Sequence, residues 1–223
     1  MERKLQTPKR SGGFALKPLS WIRSGFLSLL FLACTLSKAE IDIRYCKKVY
    51  DFCLEQKLTD NDCGTYAVDR YQGGLFSRIN EYLRTGPGEG TDDCEKVLPL
   101  MIPALRQKPV YDAVVWRGTH LPDSVLNDIQ VGGVFYDAAF LSTSRNRKVG
   151  LNFAANVLFK IRSKTGRILR DFGDEKEILF APGTEFRIRS VKMVKKSEAY
   201  WFGSPQKQRS LIFIKMDELN PPL

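Results

Sequence analysis

One histidine, His120, stands in the whole chain of 223 residues, and no two cysteines are spaced as Cys-x-x-Cys. A zinc site built from imidazoles and paired thiolates is not expected, and the expectation for metal is none. No apolar run reaches the roughly 20 residues that a membrane-spanning helix needs. No internal repeat and no low-complexity tract breaks the sequence. Net charge is scarce where it would matter for nucleic acid. The formal charge is +10, but residues 1–39 hold seven Lys or Arg against Glu2 alone, and the rest sets 28 bases against 24 acids. A basic surface strong enough to drive DNA or RNA binding is not indicated.

What residues 1–39 do contain has its own logic. A basic stretch ends at Arg23, the run GFLSLLFLACTL follows, and SKA precedes Glu40. A positive segment, a short apolar segment and small residues before a cut make a secretory signal peptide. An uncleaved anchor and a lipoprotein site at Cys34 are the alternatives. Cleavage after Ala39 leaves residues 40–223 as one domain, secreted or periplasmic, with no membrane segment. Four cysteines remain: Cys46, Cys53, Cys63 and Cys94. An even number in an exported chain predicts two disulfides, and three pairings are open.

Residues 40–108 read as helical and residues 109–223 as strand-rich. RYCKKVYDFCLEQK and LFSRINEYLRTG space their apolar residues at helical intervals, the second stopping at Gly86. CEKVLPLMIPALRQ reads as a helix interrupted by Pro99 and Pro103. From Tyr111 the pattern becomes short β-like runs: DAVVWRG, GGVFYDAAFLSTS, VLFKIRS, GRILRDF, EILFAPG, TEFRIRSVKMV and RSLIFIKMDEL. One short helix is expected at about residues 146–155. The layout is α+β.

Three pieces of the strand-rich half could carry chemistry. In VVWRGT, Arg117 ends an apolar strand beside Gly118; a guanidinium there needs an anion, either a nearby acid or a ligand phosphate. In FLSTSRN, Ser142 and Ser144 share a strand face and flank Thr143. In DFGDEKEILFAPG, Glu175 and Glu177 sit two apart at the mouth of a strand and share its face. Two like charges on one face are costly unless a ligand answers them. VGGV, residues 131–134, lacks the context of a dinucleotide fingerprint.

Arg, then Ser-Thr-Ser, then Glu-x-Glu leading into ILFAPGTEFRI resembles the arginine–serine–glutamate class of ADP-ribosyltransferases, the group of clostridial binary-toxin enzyme components and vertebrate ecto-enzymes. Upstream, YQGGLFSRINEYLR is similar to the family's opening motif, with Tyr71 as its first aromatic and Phe76 where many relatives carry Tyr. The resemblance covers roughly residues 71–191.

It implies a cleft between two small, mostly antiparallel sheets, in which NAD+ is consumed as a substrate and no cofactor is retained. ADP-ribose passes to arginine on a protein acceptor. Glu177 would stabilise the oxocarbenium-like transition state, and Ser142 would aim it. Glu175 would hold the acceptor guanidinium, and Phe172 would lie in the acceptor-recognition turn, which is short here. Tyr71, Arg117, Gly118, Ser142, Thr143, Ser144 and Phe153 would form the NAD+ site, with Arg117 on the phosphates and Phe153 on the nicotinamide. His120 has no place in the motif and reads as a structural or surface residue. An NAD+ glycohydrolase on the same fold, or an inactive binding module, are the competing readings. Action on another cell would need a delivery partner.

Overall fold

The computed structural model describes residues 45–171, 173–195 and 210–219. The expected signal peptide, Cys34 and Phe172 lie outside them. The described residues all belong to one compact unit.

Among the described residues four helices come first: α1 (Cys46–Glu55), α2 (Asp60–Arg70), α3 (Phe76–Thr85) and α4 (Cys94–Gln107). Thr59 caps α2, its hydroxyl oxygen accepting from Asp62 N at 3.2 Å. Between α2 and α3 the chain makes a π-turn, Tyr71–Leu75, with Gly74 at φ +128°. Only glycine adopts that backbone cheaply, so the Gly-Gly pair kinks the two helices apart. The stop expected at Gly86 is where α3 ends, with that glycine at φ +81°.

The expected interruption of the fourth helix does not occur; α4 runs unbroken from Cys94 to Gln107 with both prolines inside. The prolines are four apart and both exposed. The carbonyls they leave without an N–H partner belong to Glu95 and Pro99, residues that are also exposed, so solvent can reach them.

Two disulfides, Cys46–Cys94 and Cys53–Cys63, fasten α1 to α4 and to α2. The bridges close loops of 48 and 10 residues. Chain entropy assigns them about 4 and about 3 kcal/mol respectively. Replacing Cys46 and Cys94 with serine should therefore lower the guanidinium midpoint more than replacing Cys53 and Cys63. The reverse order would mean that native-state packing, not loop closure, governs.

Among the described residues eight strands follow: β1 (Val114–Thr119), β2 (Val134–Tyr136), β3 (Leu141–Ser144), β4 (Val157–Arg162), β5 (Arg167–Ile168), β6 (Glu177–Phe180), β7 (Glu185–Lys195) and β8 (Ser210–Glu218). Each expected β-like run contains a strand, and GGVFYDAAFLSTS divides into β2 and β3. Two short helices sit among them, α5 (Asp123–Asn127) and α6 (Arg147–Asn152). The first was not expected, and the second is shorter than expected. The sheet order is β2-β7-β8-β4-β1-β3-β6-β5, antiparallel except for β4 against β8.

The two small expected sheets are the two arms of this order. They meet at β1 and β3 through one registered pair, Trp116↔Ser144. By contrast, β1 and β4 share six registered pairs. One core lies among the helices and reaches Phe140 and Leu179. A second lies on one face of the sheet, around Phe159, Ile178, Phe186 and Ile214.

Candidate active site

Over the junction of the two arms opens a cleft of about 660 Å³, lined from β1, β3, β6, α6 and the π-turn. It brings together Tyr71, Arg117, Gly118, Ser142, Thr143, Ser144, Phe153, Glu175 and Glu177. Every described residue singled out for NAD+ or acceptor from the sequence therefore lines one cavity.

Glu177 is the first residue of β6 and only 7% exposed. β3 pairs with β6, and Ser142 Oγ donates to Glu177 Oε1 at 2.5 Å. The second carboxylate oxygen, Oε2, accepts from Gln72 Nε2 at 3.0 Å. Gln72 sits in the π-turn, and its Nε2 also donates to Arg170 O at 2.9 Å. Both oxygens are thus held, which fixes the carboxylate plane. Burial pushes the Glu177 carboxyl above the usual glutamate range, and the nearby Glu175 charge adds to this. The Ser142 and Gln72 hydrogen bonds and the Arg117 charge pull the other way.

Glu175 is placed differently from the sequence expectation. β6 begins at Glu177, and Lys176 has φ +47°, so Glu175 lies in the preceding turn and not on the strand face. A left-handed residue between the two glutamates breaks the period of two that would have aligned them. The turn is braced at both ends. Ser144 Oγ donates to Glu175 O, and Lys176 Nζ pairs with Asp171 at 2.8 Å. Arg145 pairs with the same aspartate at 3.0 Å. The Glu175 side chain is exposed and makes no hydrogen bond among the described residues, although it faces the same cleft as Glu177.

Arg117 Nη1 donates to Ser142 O at 2.6 Å and has no carboxylate within ion-pair distance among the described residues. The salt bridge that would have explained it structurally is absent. Burial lowers the guanidinium's pKa, and Ser142 O is its one hydrogen-bond partner among the described residues. Arg84, also on the cleft wall, is occupied by Asp137 through a two-pronged contact at 2.8 and 3.0 Å.

Other lining residues divide into supports and open surface. Thr143 Oγ1 donates to Ile178 O at 2.7 Å, so its hydroxyl serves the β3–β6 contact. A Cβ at Gly118 would meet Gly150 O at 2.0 Å; the glycine lets α6 close against β1. Tyr71 is buried, and its hydroxyl accepts from Asn80 Nδ2 at 2.9 Å. Burial raises its pKa and keeps the phenol neutral. Phe76 stands edge-on to it at 6.2 Å and is half exposed.

Phe153 follows the last residue of α6 and is 62% exposed, so it is a cleft residue and not a core phenylalanine. His120 is exposed, as expected of a surface histidine, yet it lines the cleft, which its absence from the motif did not signal. Gln72 also went unnoticed. Its position beside Tyr71 in the quoted upstream motif was the only signal.

The sequence model of the ADP-ribosyltransferase exoenzyme family matches residues 44–217. The chain belongs to that family. A relative from Mycobacterium avium, the putative NAD(+)–arginine ADP-ribosyltransferase Mav, is 37% identical over 129 residues, which are 56% of this chain and 15% of that protein. The NAD(+)–protein-arginine ADP-ribosyltransferase Tre1 of Serratia proteamaculans is 30% identical over 139 residues, 60% of this chain and 30% of its own length. The chain spans less than two thirds of the length of these curated relatives.

The ADP-ribosyltransferase exoenzyme fold is also that of the Vis toxin of Vibrio splendidus. Vis solved with agmatine superposes with a TM-score of 0.59 at 23% identity, covering 82% of this chain and 87% of that one. Exoenzyme S of Pseudomonas aeruginosa, solved with carba-NAD, gives 0.56 at 19% identity over 78% of this chain and 88% of its own.

Proposed function

We propose that the chain is an NAD+-dependent mono-ADP-ribosyltransferase that modifies arginine on a protein acceptor. The observation that carries this reading is Glu177, a buried carboxylate with both oxygens held, facing a cleft that also holds an arginine without an acid partner.

Breaking the bond from nicotinamide to ribose sends the electron pair to the pyridinium nitrogen and leaves positive charge on the ribose. A fixed carboxylate beside that charge lowers the barrier without having to reorient. In this reading Glu177 supplies the carboxylate and accepts a ribose hydroxyl. Ser142 and Gln72 keep it aimed, Arg117 takes the diphosphate, and Phe153 covers the nicotinamide. Glu175, exposed and without a side-chain hydrogen bond among the described residues, holds the acceptor guanidinium by paired bonds. A guanidine nitrogen attacks C1′, and the proton it releases leaves with solvent. NAD+ is consumed, and no retained cofactor enters the scheme.

Two disulfides suit an oxidising compartment. Relatives such as the ADP-ribosyltransferase toxin AexT of Aeromonas salmonicida suit a toxin or effector. Both support the reading of an exported protein whose first 39 residues are a signal peptide and whose delivery uses a partner.

Incubating the protein with isotope-labelled NAD+ and a cell lysate should put label on arginine side chains, located by mass spectrometry. Label on another residue type, or none on protein while nicotinamide is released, would overturn the acceptor assignment.

Glu177 must be ionised to act, so activity should fall as pH drops through its raised pKa. Gln72→Ala removes one of the bonds that holds this pKa down. The acid limb of the pH–rate profile should therefore move to higher pH, while the alkaline plateau falls only modestly. A lower plateau with an unmoved limb would make Gln72 a fold support and nothing more.

A further inference from the structure

The sheet arm made of β7, β8, β4 and β1 has its main core on one face; the other carries a small apolar cluster in which Leu151, Leu158 and Leu211 are buried and Trp116 and Phe213 are partly buried. Val115, Ile161 and Met216 lie in register and are buried on the core face. Their sequence neighbours Trp116, Lys160 and Lys215 are also in register and point to the opposite face. Phe213 and Lys192 form the adjacent row of that face.

This outer face is cationic and built around two aromatics. Trp116 and Phe213 stack at 6.3 Å. Arg147, from α6, lies over the Trp116 ring at 5.3 Å, Lys160 over the same ring at 5.4 Å, and Lys215 over Phe213 at 5.9 Å. Elsewhere on the arm, Arg162 is answered by Asp112 and Arg189 by Asp217. Arg147, Lys160, Lys192 and Lys215 have no carboxylate partner among the described residues. Lys160 and Lys215 are direct cross-strand neighbours, a like-charge pairing that a sheet tolerates poorly.

We propose that this face is a docking surface for an acidic protein segment, whose carboxylates would sit against the lysine rows. Strand spacing sets Lys160 and Lys215 about 4.8 Å apart on adjacent strands, close enough for one carboxylate to answer both. A single-stranded nucleic acid fits less well. It needs open aromatic faces for its bases, and here the Trp116 ring is already flanked by Arg147, Lys160 and Phe213. Trp116 also lines the cleft, but Arg147, Lys160, Lys192 and Lys215 do not, so the cationic surface is tested independently of the proposed chemistry.

The test uses the full chain and a fluorescent poly-L-glutamate of defined length. Binding should be measurable and should weaken with salt, since exposed charges are screened beyond about 8 Å at physiological ionic strength. The triple variant Lys160→Gln, Lys192→Gln, Lys215→Gln should bind about tenfold more weakly. A charge-matched control, Lys48→Gln, Lys57→Gln, Arg106→Gln on the helical side, should bind like wild type. Turnover with a small guanidinium acceptor should be unchanged in both variants, which also reports that they fold.

Equal loss in the two triples would reduce the effect to net charge and overturn the proposal. Absence of wild-type binding would overturn it too, because the face is then answered within the chain. Tighter binding of a single-stranded oligonucleotide of equal charge would assign the surface to nucleic acid instead.

Discussion

Glu177→Gln should lower both nicotinamide release from NAD+ and transfer to an acceptor by about two to three orders of magnitude, the scale of losing one preorganised electrostatic group. The fold should survive. The amide has the shape of the carboxylate, its oxygen can accept from Gln72, and the Ser142 hydroxyl can rotate to accept from its nitrogen. Both hydrogen bonds present in the wild type are kept in number. What disappears is the negative charge beside the ribose. A melting curve close to wild type together with the lost rate would separate chemistry from stability. Wild-type hydrolysis in the variant would remove Glu177 from the mechanism.

Glu175→Gln should behave differently. Transfer to agmatine should be lost, because an amide cannot make two charged hydrogen bonds to a guanidinium. NAD+ hydrolysis should persist, because water needs no such clamp and the Glu177–Ser142–Gln72 set is untouched. Hydrolysis should even be slightly less sensitive to acid, since the Glu175 charge helps to raise the Glu177 pKa. Loss of both activities together would mean that Glu175 serves the donor side.

The contrast rests on where the turn puts the two side chains. One is buried and doubly bonded; the other is exposed and unbonded.

Much of this site was legible through the resemblance to the arginine–serine–glutamate class, which set Ser142 against Glu177. Strand period alone put only Ser142 and Ser144 on one face, and the residue in register with Glu177 is Ser144. Gln72 was not legible in the same way. Its contacts are to Arg170 and Glu177, 98 and 105 residues away, and they depend on a kink that Gly74 sets in the chain.

Glu175 shows the opposite failure. Period-two reasoning aligned it with Glu177, but a left-handed lysine is a local choice that no pattern of polarity announces. The prolines of α4 misled for a related reason. Their cost depends on whether the freed carbonyls face water, and that is a property of the packed helix. The disulfide pairing likewise waited for the helices to be packed, since spacing alone left all three pairings open.

The central claim is transfer of ADP-ribose to a guanidinium, and wild-type protein mixed with NAD+ and agmatine tests it most directly. Mass spectrometry should find ADP-ribosyl-agmatine accumulating in step with nicotinamide. Nicotinamide and free ADP-ribose without that adduct would contradict the account and make the protein an NAD+ glycohydrolase.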